Sequence, residues 1–418
     1  MIYINDSRTV GQISLFFICV FCVVLTSPFF SAVGTETVLI TLLSCSLLFY
    51  NGYNAISSAS KGLVFLNLLF LTIMIVYKIL GVSSADWVYP AGYMGWMFTS
   101  ILGCYLVKNA NYTQLKILFG TIYIACVGYC AYISVIGNRV MQDDVELGVE
   151  LATAMYSSAF MLFSGSCLIL FLNVKEIPFK ILAMIGIMIP AYANFAVLQR
   201  GTNAIFSIVL YALILLFNGK RSRFVYVFFF FLLIVLLVIF QTGLYVYILD
   251  GLINVISSER IASRIDSLNV FLQTGDYVYA GTSVRTRSIL LVKTWTTFTN
   301  SFPDIMFGVG DHRNYTGPIG NHNELIDMLA RYGIVFSAPL FVILFKQYAW
   351  FKELFYEYKS NKVYFQAIAV FVIYIARNII GSALTSAVSI QMFLFLPIVV
   401  IMVKNQELFI INQKKWRL

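Results

Sequence analysis

Long apolar runs, interrupted at intervals by short polar clusters, set the pattern of this chain. About 20 apolar residues, wound as a helix, are long enough to cross ~30 Å of hydrocarbon. Twelve such spans are predicted, at residues 12–33, 36–56, 62–81, 90–107, 114–136, 150–173, 178–197, 201–218, 223–246, 324–346, 363–382 and 386–403. The first is read as a span and not as a cleaved signal segment, because it is long and shows no small-residue cleavage site. Between the ninth and tenth spans the pattern changes. Residues 247–323 leave the apolar rhythm for a stretch far longer than an ordinary connection, and loops of that length tend to be functional or disordered. The expected fold is therefore an all-α polytopic integral membrane protein with about twelve transmembrane helices. Its expected divisions are 1–246 (spans one to nine), 247–323 (one large loop) and 324–418 (spans ten to twelve and a tail).

Two stretches of the loop carry helical periodicity. In "SSERIASRIDSLNVFLQ" (257–273), Ile261, Ile265, Leu268 and Phe271 line one side and Arg260, Arg264 and Ser267 another. In "RTRSILLVKTWTTFTN" (285–300), Leu291, Trp295 and Phe298 recur at helical spacing. Both read as amphipathic helices that lie on the outer leaflet or over the span bundle. Between Phe302 and Gly320 the glycines Gly308, Gly310, Gly317 and Gly320 predict tight turns.

Composition agrees with the membrane reading. The 418 residues are 60% hydrophobic and 11% charged, against roughly 25% charged in a soluble domain. Charge then orients the chain. With alternate connections assigned to the cytoplasm from the N-terminus onward, 17 of the 28 Lys and Arg residues fall on that side, as the positive-inside rule requires. Both termini are expected in the cytoplasm and the long loop on the outer face of the membrane. The net charge of +9 is thus mostly topology, and nucleic acid is not needed as a partner.

The remaining 11 basic residues are nine Arg and two Lys, whereas the cytoplasmic set is four Arg and thirteen Lys. Topogenic charge is indifferent to the cation. A phosphate-gripping site is not, since the guanidinium fork bonds two oxygens at once. Arginines pairing with outer carboxylates are the plainer alternative. All seven cysteines lie in predicted spans of the first half, so the outer loop has no disulfide framework, and Cys126 and Cys130 read as packing residues.

No P-loop, dinucleotide fingerprint or HExxH is present. Metal-dependent membrane glycosyltransferases resemble one another in carrying paired acids on the first outer loop. Here that loop is "GTET", with Glu36 alone, so no metal and no cofactor is expected. Charges at the membrane edge are costly and each is a candidate for function. Arg200, in "VLQRGTNAIF", either serves a site or snorkels from a helix end. Arg377, in "IYIARNIIGS", lies about two turns inside its span and is a candidate to face a polar cavity. Arg331 is expected to pair with Asp327, one turn earlier. Arg285 and Arg287 open the second loop helix, where they either point inward or are solvated.

One of only two histidines, His322, stands between Asn321 and Asn323 where the loop re-enters the membrane. Its unperturbed pKa lies nearest neutrality, which suits a general base acting on a hydroxyl. The alternative is a capping segment in which Asn321 or Asn323 caps the tenth span and His322 only hydrogen-bonds. His312 reads as a solvated loop residue.

"RSILLVKTWTTFTNSFPDIMFGVG" (287–310) followed by "GNHNELIDMLARYGIVF" (320–336) resembles the signature of the O-antigen polymerase and O-antigen ligase superfamily. That pattern is an arginine, a helix, Pro-x-x-x-Gly-x-Gly, a loop, His-Asn or His-Ser, then Tyr-Gly. "LQRGTNA" (198–204) is similar to an upstream Arg-Gly segment of the same superfamily. The resemblance covers most of the chain at low detail. It implies a metal-independent, inverting transferase of the GT-C-like class acting on undecaprenyl-diphosphate-linked oligosaccharide at the outer face. On that resemblance Arg200 and Arg287 would hold the pyrophosphate, and His322 would deprotonate or orient the acceptor hydroxyl. Arg377 joins them as a candidate, and Asn321 and Asn323 as supports. Membrane lipids, a chain-length regulator and a flippase are the partners it implies.

Two departures bear on this assignment. The Arg-x10-Gly motif of some polymerases is absent, and the spacing around Pro303 is longer than a common form, so Arg285 competes with Arg287 for its role. Asp327 before Tyr-Gly favours a repeat-unit polymerase over a ligase that transfers the polymer to lipid A-core. A flippase or transporter of polyprenyl-linked sugars is the alternative from another class. It should show ionisable residues near mid-membrane, whereas here they gather on the loop and the outer ends of the spans.

Overall fold

The computed structural model describes residues 10–26, 61–80, 88–140, 147–198, 201–218, 282–310, 318–320, 323–354, 362–380 and 386–404, with isolated positions between 246 and 273. Every regular element among the described residues is helical. In chain order they are α1 (Gln12–Thr26), α2 (Lys61–Ile79), α3 (Val88–Asn109), α4 (Tyr112–Val140), α5 (Leu147–Asn173) and α6 (Ile177–Tyr192). The π turn Ala193–Val197 continues α6, and α7 (Gly201–Leu216) follows. Then come α8 (Thr282–Thr299), α9 (Phe302–Phe307), α10 (Glu324–Leu354), α11 (Lys362–Ile380) and α12 (Ser386–Ile390). α12 runs on through a π turn, Gln391–Phe395, into helix as far as residue 404.

Ten predicted spans coincide with α1 to α7 and α10 to α12. The span at 36–56 lies outside the described residues, and so does 223–246 except for its last position. Seven helices among the described residues are long and apolar enough to cross a membrane. Of the loop stretch 257–273, helix is described only at Ala262, Asp266, Asn269, Val270 and Gln273, and the apolar and arginine positions expected to line its two sides lie outside the described residues.

The chain divides into two compact units. One, the span unit, is Met1–Asn218 with Phe336–Leu418; the other, the loop unit, is Gly219–Val335. In the span unit the helix beginning with α12 is central. Of its apolar stretch Ala387–Lys404, 94% is buried, against 28% for Gly62–Ile79 and for Ile177–Phe195. Phe393 meets Phe351 and Tyr374 edge to face or tilted, and Phe395 stacks on Phe119 and Phe163. The outlying helices instead turn Phe65, Leu68, Ile124 and Met188 outward, as helices bathed in lipid do.

Local polar chemistry sets several helix ends. Asn111 and Gln114 form a reciprocal capping box at the start of α4: Gln114 N–H donates to Asn111 Oδ1 (2.9 Å) and Asn111 N–H to Gln114 Oε1 (3.2 Å). The same Gln114 amide also bonds both backbone groups of Val10, which fixes the approach to α1. At the C-terminal ends of α5 and α7, Asn173 Nδ2 donates to Gln366 Oε1 (2.9 Å). Gln366 Nε2 donates to the Ile214 carbonyl (3.1 Å) and Lys362 Nζ to Asn218 Oδ1 (2.8 Å). α11 therefore runs antiparallel to α5 and α7, tied to both by amides that an apolar surrounding would leave unsatisfied if separated.

Candidate functional site

In the loop unit the residues around Asn323 are held by three elements. The first is α8, whose buried stripe is Leu290, Thr294 and Phe298. The sequence pattern had pointed to Leu291, Trp295 and Phe298. Leu291 and Trp295 are in fact exposed, at 37% and 54%. Thr294 replaces them inside because its hydroxyl finds partners there, so a polar residue costs little in the interior.

Those partners are specific. Thr294 Oγ1 donates to Asp327 Oδ1 (2.9 Å) and accepts from the Gly320 N–H (2.8 Å). It also lies 3.0 Å from the Leu290 carbonyl. One hydroxyl proton is shared between two acceptors, the Asp327 carboxyl and the Leu290 carbonyl. Asp327 Oδ2 accepts from the backbone N–H of Asn323 (2.8 Å), and Asp327 N–H donates to the Asn323 carbonyl (2.7 Å). This is capping-box logic, with the acid one position further into the helix than usual. Asn323 thus stands immediately before α10, with its backbone secured by Asp327.

The second element is the segment Ser301–Gly310. Ser301 caps α9: its Oγ accepts from Asp304 N–H (3.3 Å) and donates to Asp304 Oδ2 (2.7 Å). Pro303 sits in the first turn, where no intrahelical N–H is needed. α9 stops at Gly308, and Gly308 and Gly310 both have positive φ, 73° and 88°. Val309 N–H then donates to the Ala330 carbonyl and Gly310 N–H to the Arg331 carbonyl, each at 2.9 Å.

The third element is the first part of α10, which breaks at Gly333 (φ 63°, ψ −179°). That backbone conformation is open only to glycine. The break orphans the last carbonyls of Glu324–Tyr332, and two of them are the carbonyls taken by Val309 and Gly310. The approach is too close for a side chain on either strand of the contact. A Cβ on Gly308 would stand 2.3 Å from the Arg331 carbonyl oxygen, and one on Gly333 2.3 Å from the Met306 carbonyl carbon. Pro303-x4-Gly308-x-Gly310 and Tyr332-Gly333, separate in sequence, are two halves of one backbone contact. Phe298, Ile319 and Ala330, with Ile305, Val309 and Leu329, fill the small core beneath it.

Arg331 forms an ion pair with Glu324 (3.6 Å), both side chains being buried. Its charge also acts on Asp327, the partner the sequence suggests, which is bonded besides to Thr294 and to Asn323 N–H. Asn321 and His322 lie outside the described residues. The residues on either side of them, Gly320 and Asn323, are both bonded to the Thr294–Asp327 pair. Arg285 and Arg287 fall in the first turns of α8; their side chains lie outside the described set.

Arg377 belongs to the span unit, near the C-terminal end of α11. It is 9% exposed, and its Nε donates to Asn203 Oδ1 (2.6 Å) on α7. Asn203 Nδ2 donates to Ser157 Oγ (2.7 Å) on α5, and Ser157 Oγ to Asn194 Oδ1 (2.8 Å). Asn194 Nδ2 returns a bond to the Ser157 carbonyl (3.2 Å), and Ser158 Oγ donates to Asn203 Oδ1 (3.4 Å). Asn194 lies in the π turn that follows Pro190, and π turns reset which residues face the core. The buried arginine thus joins a cluster of polar side chains. Asn203 is three residues beyond Arg200, which itself lies outside the described residues.

Sequence reading missed Thr294, Asn203, Ser157 and Asn194. Thr294 had one available signal, its place midway between Leu290 and Phe298 on a four-residue stripe. Among the described residues no group of three or more His, Cys, Asp or Glu side chains is arranged so that it could hold a metal ion. Compared with models of known families and with characterised proteins, the chain finds no match.

Proposed function

We propose that this protein is a surface-polysaccharide polymerase of the O-antigen type, an inverting membrane glycosyltransferase working at the extracytoplasmic face. It transfers the growing glycan from undecaprenyl diphosphate onto a lipid-linked repeat unit. His322 takes the proton of the acceptor hydroxyl as that oxygen bonds the anomeric carbon of the growing chain. The bond from that carbon to the diphosphate oxygen breaks with inversion, and its electron pair leaves on undecaprenyl diphosphate. Guanidinium forks drawn from Arg200, Arg285, Arg287 and Arg377 neutralise the diphosphate, so the charge developing on the leaving group meets cationic donors. The donor's lipid lies in the bilayer, and the chain-length regulator and flippase of such a system would be its partners.

One observation carries this reading. The two sequence motifs that flank His322 fold against each other, and the backbone on both sides of it is anchored to one buried pair. A capping segment needs only the Asn323 bond. The buried Arg377–Asn203 cluster supports the anion-binding half.

The test uses purified protein in liposomes with lipid-linked repeat units extracted from cells lacking it. Wild type should build a ladder of lengthening glycans, and His322→Ala should slow chain growth by about 10²–10⁴-fold. Full chain growth by His322→Ala would remove the base. Transfer of preformed polymer onto lipid A-core, without chain growth, would make the protein a ligase. Movement of lipid-linked sugar across the liposome without any transfer would make it a flippase.

A further inference from the structure

We infer that Thr294 and Asp327 are positioning residues for the reaction, holding Gly320 and Asn323, the residues on either side of Asn321 and His322; this rests on the reading of His322 as the base. The two residues 321 and 322 are the whole of the chain between Gly320 and Asn323. The Gly320 N–H is bonded to Thr294 Oγ1 and the Asn323 N–H to Asp327 Oδ2 (each 2.8 Å), and Thr294 is bonded to Asp327 (2.9 Å). The clamp is thus closed: two peptide N–H groups, one hydroxyl and one carboxylate, with Thr294 fully buried and Asp327 nearly so.

Three further restraints converge on the same segment. Thr297 Oγ1 donates to the Pro318 carbonyl (2.7 Å). Gly320 lies so close to α8 that a Cβ there would stand 2.3 Å from the Leu290 carbonyl oxygen. Ile319 is completely buried in the small core. A cap alone requires none of these on the N-terminal side of Asn323. The arrangement suits a group whose reach must be set to within a fraction of an ångström, because misplacement by about 1 Å costs on the order of 10²-fold in rate.

Thr294→Val keeps the shape and removes the hydroxyl, while Thr294→Ser keeps the hydroxyl. With extracted lipid-linked repeat units as substrate, Thr294→Val should lower kcat at least tenfold with KM within twofold of wild type, and Thr294→Ser should restore kcat to within about threefold. Hydrogen–deuterium exchange should quicken at Gly320 in Thr294→Val and at Asn323 in Asp327→Ala, with the amides of α8 unchanged. Where Thr294→Val does not yield folded protein, Asp327→Asn carries the same kcat and KM test. Wild-type kcat in Thr294→Val alongside an inactive His322→Ala would overturn the clamp and leave the base standing. Equal loss in the Ser and Val variants, with melting lowered in both, would reduce Thr294 to packing and overturn it as well. Full activity of His322→Ala would remove the base and the clamp together.

Discussion

The two polar clusters of this protein are built in opposite ways. In the span unit, Arg377, Asn203, Ser157 and Asn194 join mainly side chain to side chain, across α5, the π turn after α6, α7 and α11. In the loop unit, Thr294 and Asp327 spend their capacity on peptide N–H groups. The first arrangement orients one guanidinium; the second orients a piece of chain. If the proposed function holds, a defect in the first should be felt as weaker grip on the lipid-linked donor. A defect in the second should be felt as slower chemistry at unchanged grip.

The sharpest way to break the loop unit is Gly333→Ala. The conformation at Gly333 costs a non-glycine residue about 1–3 kcal/mol, and the new Cβ would meet Met306 backbone at 2.3 Å besides. Folded protein should fall markedly on size exclusion, and no glycan ladder should form. Gly120→Ala in α4 is the matched control, since nothing lies within 4 Å of a Cβ there. It should express and polymerise as wild type.

Next in size is Arg377→Lys. Lysine keeps the charge but has neither the fork nor the Nε–H that Asn203 orients. The expected result is a rise of about tenfold or more in KM for the lipid-linked donor, on the scale of one lost charge-assisted hydrogen bond. Asn203→Ala should move in the same direction by less. Unchanged KM in both variants would mean that the cluster only holds α5, α7 and α11 together. The smallest effect belongs to Tyr374→Phe. It removes the hydroxyl that accepts from Trp96 Nε1 (2.9 Å) and leaves the ring on Phe393. Stability should drop by about 1 kcal/mol, read by thermal unfolding in detergent, with chain growth unaltered.

Much of the fold was legible in advance. Apolar run length is a local property, and α1 to α7 and α10 to α12 fall where it placed them. The break at Gly333 was not. Residues 324–346 read as one span, yet regular helix is interrupted after Tyr332, and Glu324, Asp327 and Arg331 are buried in the turns before it. On α8 the exposed Leu291 and Trp295 are compatible with the leaflet-facing side expected of it, and the buried side is a different one. Leu291 and Trp295 are the greasier choice, but burial went to Thr294, whose partners lie 26 and 33 residues further along the chain. Arg377 could be singled out because a charge deep in a span is costly by itself. Asn203 could not, since an asparagine at a helix start is ordinary.

By itself, then, the sequence determined what depends on each residue and its near neighbours. That includes the placing of ten apolar helices among the described residues, and the Pro-Gly-Gly and Tyr-Gly spacings. Only the tertiary structure decided which polar groups meet. Hydropathy specifies that a polar atom inside an apolar bundle must find a partner, but it does not say which one. The choice of Asn203 for Arg377, and of Thr294 and Asp327 for the backbone on either side of His322, follows from where packing brings distant helices together.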